Sequence, residues 1–455
     1  MRGSSAEVVI CGAGMAGVAA AYHLAVRDGV KNVVLVDERP PLTLTSDKGT
    51  EAYRNWWPGP GETMVRFMNR SIDLLEELAH ESNNCFELNR RGYVFLTARP
   101  EQITRMKDTA AATSALGAGP VREHPGLAPY IPSKPQGFDT LPTGADLVLD
   151  RTLIQHQFPF ITGDVVAMLH VRRCGWLDAQ QLGKWLLAQA QARGVRVWRD
   201  RVEGVTVVSG RVQTIHLQSG DALNTDAFVI AAGPYLKHVG AMLGLDIPVY
   251  NELHGKMAFK DYLGVVPRDA PLMIWNDPLH LPWTAAEREA LATSGETRWL
   301  LDEFPAGVHF RPRGDADNPL LLVIWTYDTK AQEPVWPPTF DRHYPEVLLR
   351  GLARMIPGLS AYFGHGNGAY VDGGYYCKTR ENRPLIGPLP VEGAYVIGAL
   401  SGYGIMGSQA AGELLAAHVT GGNLPDYAPA LLLERYEDPA YRVLLEEWDD
   451  SSGQL

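Results

Sequence analysis

Between Glu7 and Glu38 the chain runs from an apolar stretch (VVIC) through a glycine cluster into an Ala-rich stretch, then past Gly29 into a second apolar stretch (VVLV). Unbroken apolar runs of this length suit strands buried on both faces. The Ala-rich stretch between them has helical length, so the segment predicts a βαβ unit. The same grammar returns twice. GWLDAQQLGKWLLAQAQARGVRVWRDRVEGVTVV, starting at Gly175, predicts an amphipathic helix and a strand, with further strands before DAFVIAAGP at 226–234. GAYVIGALSGYGIMGSQAAGELLAAHVTGG, from Gly393 to Gly422, predicts a strand, a glycine-rich turn and a long helix. The stretches 91–164 and 247–364 are instead rich in Pro, Trp and short apolar runs. Within the second, Thr284 and Glu287 form a TxxE capping box ahead of AAEREALA, a short helix that reads as a lid or as a surface excursion. RPRGDADNP at 311–319 and EPVWPP at 333–338 are loop punctuation.

This pattern predicts a discontinuous α/β nucleotide-binding domain from 1–90, 165–246 and 365–430. It predicts a second, mainly antiparallel β (α+β) substrate domain from 91–164 and 247–364, and an acidic helical tail from 431–455. Two domains agree with 455 residues and a 45% hydrophobic content. A formal net charge of −11 with no block of Lys and Arg excludes nucleic acid as the expected partner. Cys11, Cys85, Cys174 and Cys377 have no paired spacing, so no disulfide framework, metal site or redox CxxC is expected, and a cytoplasmic setting fits. Arg2 ahead of the apolar stretch 8–26 mimics a secretory signal. The glycines inside that stretch argue otherwise, and no other run is long and apolar enough to span a bilayer, so a soluble protein is expected.

Gly12, Gly14 and Gly17 stand at GxGxxG spacing directly after the first predicted strand. The first glycine permits a tight turn, the second lets backbone approach a pyrophosphate, and the third lets helix pack on strand, with the phosphates at the helix N-terminus. Asp37 closes the second strand about twenty residues later, where a carboxylate accepts from ribose hydroxyls; this favours FAD or NAD over NADP. The nearest second glycine cluster, Gly117–Gly119, follows a polar helical pattern, so a separate nicotinamide domain is not expected and a flavin would be reduced by its substrate.

Taken in order, GAGMAG with Asp37, Thr45–Ser46, GWLD before a helix, VIAAGP, and TRENRPLIG followed by GALSGYGIM resemble the FAD-dependent amine and amino-acid oxidoreductases of the D-amino-acid oxidase type. That group includes glycine oxidase, sarcosine oxidase and dimethylglycine dehydrogenase, and the resemblance spans nearly the whole chain. It implies an α/β FAD-binding Rossmann-like domain beside the antiparallel substrate domain. It also extends the cofactor set beyond Gly12, Ala13, Gly14, Met15, Ala16, Gly17, Asp37, Glu38 and Arg39. The added positions are Thr45, Ser46, Lys48, Val202, Ala231, Ala232, Gly233, Ser401, Gly402, Tyr403, Gly404, Ile405 and Met406. Amides at a helix N-terminus after Gly402 and Gly404 would stabilise the negative charge of a reduced flavin.

The chain departs from the family at the carboxylate anchor. In YYCKTRENRPLIG, Tyr376 takes the place of the glycine oxidase arginine, unless a small shift brings in Lys378 or Arg380; Met406 replaces the lysine of sarcosine oxidase-like members. Either an arginine from elsewhere clamps a carboxylate or the substrate carries none there. Arg54 is the candidate replacement, giving a substrate set of Arg54, Trp56, Tyr376 and Met406. Trp56, Trp57, Tyr375, Tyr376 and Tyr403 suggest a cation–π cage for an alkylated amine, or core packing. Catalytic candidates are Lys256, with Lys48 as a second cation for oxygen activation, together with His254 and Tyr403. Cys377 lies late for the family's covalent linkage, so non-covalent FAD is expected. The expected reaction is oxidation of a small amine or amino acid to an imine, with oxygen or another acceptor taking the electrons. Alternatives are an alcohol or hydroxy-acid oxidoreductase, or a flavin-holding scaffold.

Overall fold

The computed structural model describes residues 3–126, 130–313, 317, 319–365, 368–446 and 448; Arg2, parts of the 311–319 loop and the end of the tail lie outside them. One sheet has eight strands. Its parallel core runs, edge to edge, Ala394–Gly398, Ala222–Ile230, Gly3–Cys11, Val33–Asp37 and Arg196–Arg199. Period-two alternation splits its strands between two cores. Val8, Ile10, Val33 and Leu35 pack beneath the helices Met15–Tyr22, Ala179–Ala192 and Gly404–Thr420, whereas Val9, Cys11, Val34 and Val36 pack on the opposite side with Leu236 and Cys377. Val202–Val208 and Arg211–Leu217 extend the sheet as an antiparallel hairpin.

The second sheet has nine strands. In spatial order they are Tyr370–Lys378, Tyr250–Lys260, Leu320–Ile324, His309–Arg313, Leu272–Trp275, Tyr93–Thr97, Ala167–Val171, Ala145–Val148 and Val121–His124. Pairing is antiparallel except between Leu272–Trp275 and Tyr93–Thr97 and between the last two strands. One face rests on the amphipathic helix Tyr344–Met355 over a separate core. Ala167–Val171 and Tyr370–Lys378, expected among the nucleotide-binding segments, pair here instead. A short apolar run has the same period in either sheet, and only long-range register decides between them.

The capping box at Thr284 and Glu287 is present, and the helix it opens, Ala285–Thr293, buries none of its residues. Arg350 pins it through Glu287 at 2.5 Å and stacks over Trp283 at 3.8 Å. The helix contributes nothing to the clefts described below. In the tail, Arg435, Tyr436 and Tyr441 converge on the buried Glu381. Among the described residues no helix is long and apolar enough to cross a membrane, and no group of three or more His, Cys, Asp or Glu is placed to hold a metal.

Candidate functional site

The first strand delivers Gly12 to its end at φ +112°, and a Cβ there would collide with the carbonyl oxygen of Ala231. Gly17 packs just as tightly on the carbonyl of Gly12. Asp37 ties the turn together: its Oδ2 accepts from the Ala13 amide and its Oδ1 from the Arg39 amide, each at 2.8 Å. Burial raises the Asp37 carboxyl pKa, and these two donors oppose the rise. Ser46 Oγ accepts from the Met15 amide at 2.9 Å.

Gly14, the N-cap of the helix beginning at Met15, has no side chain to cap it, so apart from the Met15 amide taken by Ser46 its electropositive end is open to a polar or anionic group. Beside it lies a cleft of about 410 Å³ lined by Gly12, Gly14, Asp37, Glu38, Arg39, Thr45, Ser46, Val202, Ala231, Ala232 and Gly233, all expected from the sequence. Ala13, Met15, Ala16 and Gly17 build the turn behind it. Lys48 faces an adjoining depression and pairs with Asp372 at 2.6 Å. Cys11, Tyr235 and His238 also line the main cleft and were missed; the last two directly follow VIAAGP, which was the available signal. A glycine turn, a free helix N-terminus and an acid at the end of the next strand suit the pyrophosphate and ribose of a dinucleotide.

A second glycine turn follows strand Ala394–Gly398. Ala399 and Ser401 are held there at φ +53° and +46°, a conformation costly for residues with a Cβ, and the helix starting at Gly404 again has no side-chain cap. Gly402 is required because an added Cβ would lie 2.6 Å from the Tyr376 ring. Tyr403 and Met406 depart from expectation. The Tyr403 hydroxyl donates to the Asn382 carbonyl at 2.7 Å inside the protein, so it braces the turn and is not free for catalysis. Met406 is buried in the core beneath the first sheet, where its carbonyl accepts from Ser71.

The five-ring cage does not form. Trp56 is in the core, and Tyr375 points to the opposite strand face from Tyr376, donating to the Val335 carbonyl at 3.1 Å. Trp57 meets the edge of Tyr403 at 5.2 Å, and the Arg54 guanidinium lies 4.6 Å from its ring centre. Cys377 packs in the core on the other side of the first sheet, and burial pushes its thiol up to about 12.

Arg54 stands in the short strand Ala52–Arg54, 8% exposed. Among the described residues it has no hydrogen-bonding or carboxylate partner, its Nε is buried without one, and burial lowers its pKa. Three other buried cations are neutralised, Arg311 by Glu51 at 2.5 Å, Lys378 by Glu252 at 3.0 Å and Arg435 by Glu381 at 2.7 Å, whereas Arg383, 5% exposed, donates to the Pro60 carbonyl at 2.7 Å. His309 is held near 4 chiefly by burial, and the charges of Arg54 and His254 lower it further. Lys256 is also 8% exposed and donates to the Asp47 carbonyl at 3.0 Å with no carboxylate within ion-pair distance among the described residues. Tyr376 stacks on His254, with centroids 4.0 Å apart and planes at 18°. Its hydroxyl has no partner among the described residues. Glu51, Arg311 and His309 carry no motif, and only the alternation in HFRPR hinted at them.

A parallel sheet with a dinucleotide cleft, joined to an antiparallel sheet that carries Lys256 and the Tyr376 phenol, is a two-domain dinucleotide-binding architecture. The profile described as "FAD dependent oxidoreductase" matches residues 7–418, and the chain belongs to that family. It is 26% identical to mitochondrial dimethylglycine dehydrogenase of Homo sapiens over 251 residues, 55% of this chain and 26% of that protein. The match thus spans about a quarter of the length of that relative. Among solved structures, L-proline dehydrogenase from P. horikoshii is similar, with a TM-score of 0.72 at 18% identity, covering 96% of this chain and 98% of the other. Glycine oxidase from Geobacillus kaustophilus superposes with a TM-score of 0.71 at 16% identity, covering 95% and 99%. These neighbours share the chain's fold.

Proposed function

We propose that the protein oxidises a small secondary or primary amine bearing a carboxylate, with Arg54 as the carboxylate anchor. The observation that carries this reading is the Arg54 guanidinium, buried against Trp57 with no counter-charge among the described residues. A buried cation left unpaired is costly, and a substrate carboxylate is the partner that would offset the cost. When bound, FAD supplies the ring that accepts the hydride from the carbon beside nitrogen. Gly12, Gly14, Asp37, Ser46 and Ala231 would hold its nucleotide end, and the amides opening at Gly402 and Gly404 would face the pyrimidine edge.

The chain's own groups do the rest. Arg54 orients the carboxylate, Trp57 excludes water beneath it, and the Tyr376 hydroxyl meets the substrate's polar end. Lys256 keeps a positive charge beside the 45–48 loop, where it would favour electron transfer to oxygen. The substrate would lose a hydride to the flavin and its nitrogen proton to water, forming a C=N bond that water then hydrolyses to a carbonyl compound and ammonia or, from a secondary amine, a primary amine. No side chain must act as a strong base. The test is anaerobic mixing of the yellow protein with amino acids, N-alkyl amino acids and hydroxy acids. Flavin bleaching by the amines is expected; bleaching by hydroxy acids alone would replace this reading with C–O oxidation, and no bleaching by either would oppose it.

A further inference from the structure

We infer that His254 is a positioning residue for Tyr376, braced from behind by the Glu252–Lys378 ion pair so that the phenol is held against the Gly402 turn. The inference rests on the reading of Tyr376 as a substrate-facing group. Alternation places Glu252 and His254 on one face of strand Tyr250–Lys260, and the antiparallel register sets Glu252 opposite Tyr376 and His254 opposite Gly374. Because Gly374 has no side chain, Thr45 and Lys48 pack closely over it, and the imidazole lies flat against the neighbouring phenol at 4.0 Å.

Both ring nitrogens of His254 are committed. Glu252 Oε2 lies 3.2 Å from Nε2, and since a carboxylate only accepts, Nε2 carries the proton. Nδ1 is then left to accept from the Thr326 hydroxyl at 3.4 Å. The same Glu252 oxygen receives Lys378 Nζ at 3.0 Å, with Lys378 only 3% exposed. The imidazole therefore has no nitrogen free to take a substrate proton and contributes its face. On the far side of the phenol stands Gly402, where a methyl group would intrude on the ring. Tyr376 is thus clamped between a braced imidazole and a backbone turn, with only its hydroxyl unspent. Fixing a contacting group in advance removes the cost of ordering it when substrate arrives.

The direct test places 3-fluorotyrosine at 376 in the FAD-loaded protein and follows its 19F resonance. A single narrow line is expected in the otherwise unaltered protein. Exchange broadening or splitting is expected in His254→Ala and, more weakly, in Glu252→Gln, which keeps both rings; His254→Phe should restore the narrow line by restoring an aromatic face. An unchanged line in both His254→Ala and Glu252→Gln would overturn the inference. The functional arm is a double-mutant cycle on kcat/KM. His254→Ala and Tyr376→Phe should each cost about tenfold, and the double variant no more than the worse single one; multiplied losses would show that His254 acts independently of Tyr376. Acetate affinity in Arg54→Met, read from the flavin spectrum, separates the two claims. If it is unchanged, the carboxylate reading fails whatever the resonance does. If it is lost while the resonance never broadens, only the positioning inference fails.

Discussion

The nucleotide cleft and the substrate-facing strand cluster are built on different principles. The cleft is made of backbone: glycines that permit close approach, amides tied to Asp37 and Ser46, and a helix start whose N-cap is a glycine. The cluster is made of side chains: His254, His309 and Tyr376 stand on three strands of the nine-stranded sheet, and Arg54 comes from the separate short strand Ala52–Arg54. A backbone site tolerates almost no added atom, whereas a side-chain site is adjustable in charge and shape. One fold can therefore keep its cofactor while its substrate changes.

Substitutions should break the two regions differently. The largest effect is expected from Gly12→Ala, where the methyl meets the Ala231 carbonyl and the backbone already sits at φ +112°. FAD affinity should fall by about 100-fold or more, and the purified protein should have lost most of its yellow colour by absorbance ratio. Arg54→Met should leave flavin content unchanged and lower kcat/KM for a carboxylate-bearing amine by about 100-fold, as expected when one partner of a buried charge pair is removed. Gly402→Ala presses on the Tyr376 ring and not on backbone, so steady-state kinetics should show about a tenfold loss of kcat with FAD retained.

The smallest effect concerns acid. His23, in the first helix region, is 3% exposed and held near 4 by burial, below its ordinary 6.5. The unfolded chain therefore takes up the proton first. This contribution to stability is present above about pH 6.5 and is lost as pH falls toward 4. Between pH 7 and pH 5 it amounts to about 2 kcal/mol. Urea unfolding at the two pH values should show His23→Gln losing correspondingly less. His309 is held near 4 for the same reason and should account for a separate share from the substrate side.

The contrast also explains what could be read from the sequence. Gly12, Gly14, Gly17 and Asp37 were legible because a turn, a helix start and the end of the next strand are local, and local geometry leaves its mark in spacing. The resemblance carried Thr45, Ser46, Val202 and the 231–233 turn into the same cleft. The strand-facing side chains were harder. Tyr403 looked catalytic until its hydroxyl found the Asn382 carbonyl, a contact that depends on how a neighbouring loop folds. The aromatic cage fails on alternation, since adjacent Tyr375 and Tyr376 cannot share a strand face, and that much was available from period two. The missing counter-charge at Arg54 could not be read in advance. It depends on where the acidic side chains of distant segments end up, which spacing along the chain does not record.

The most direct measurement compares matched amines with and without a carboxylate, such as N-methylglycine and dimethylamine, mixed anaerobically with the yellow protein and with Arg54→Met while the flavin absorbance is followed. Rapid bleaching of the unaltered protein by the carboxylate-bearing amine alone, lost in Arg54→Met, is the predicted result. Equal bleaching by both amines, or undiminished bleaching of Arg54→Met, would contradict the assignment of Arg54 as the anchor.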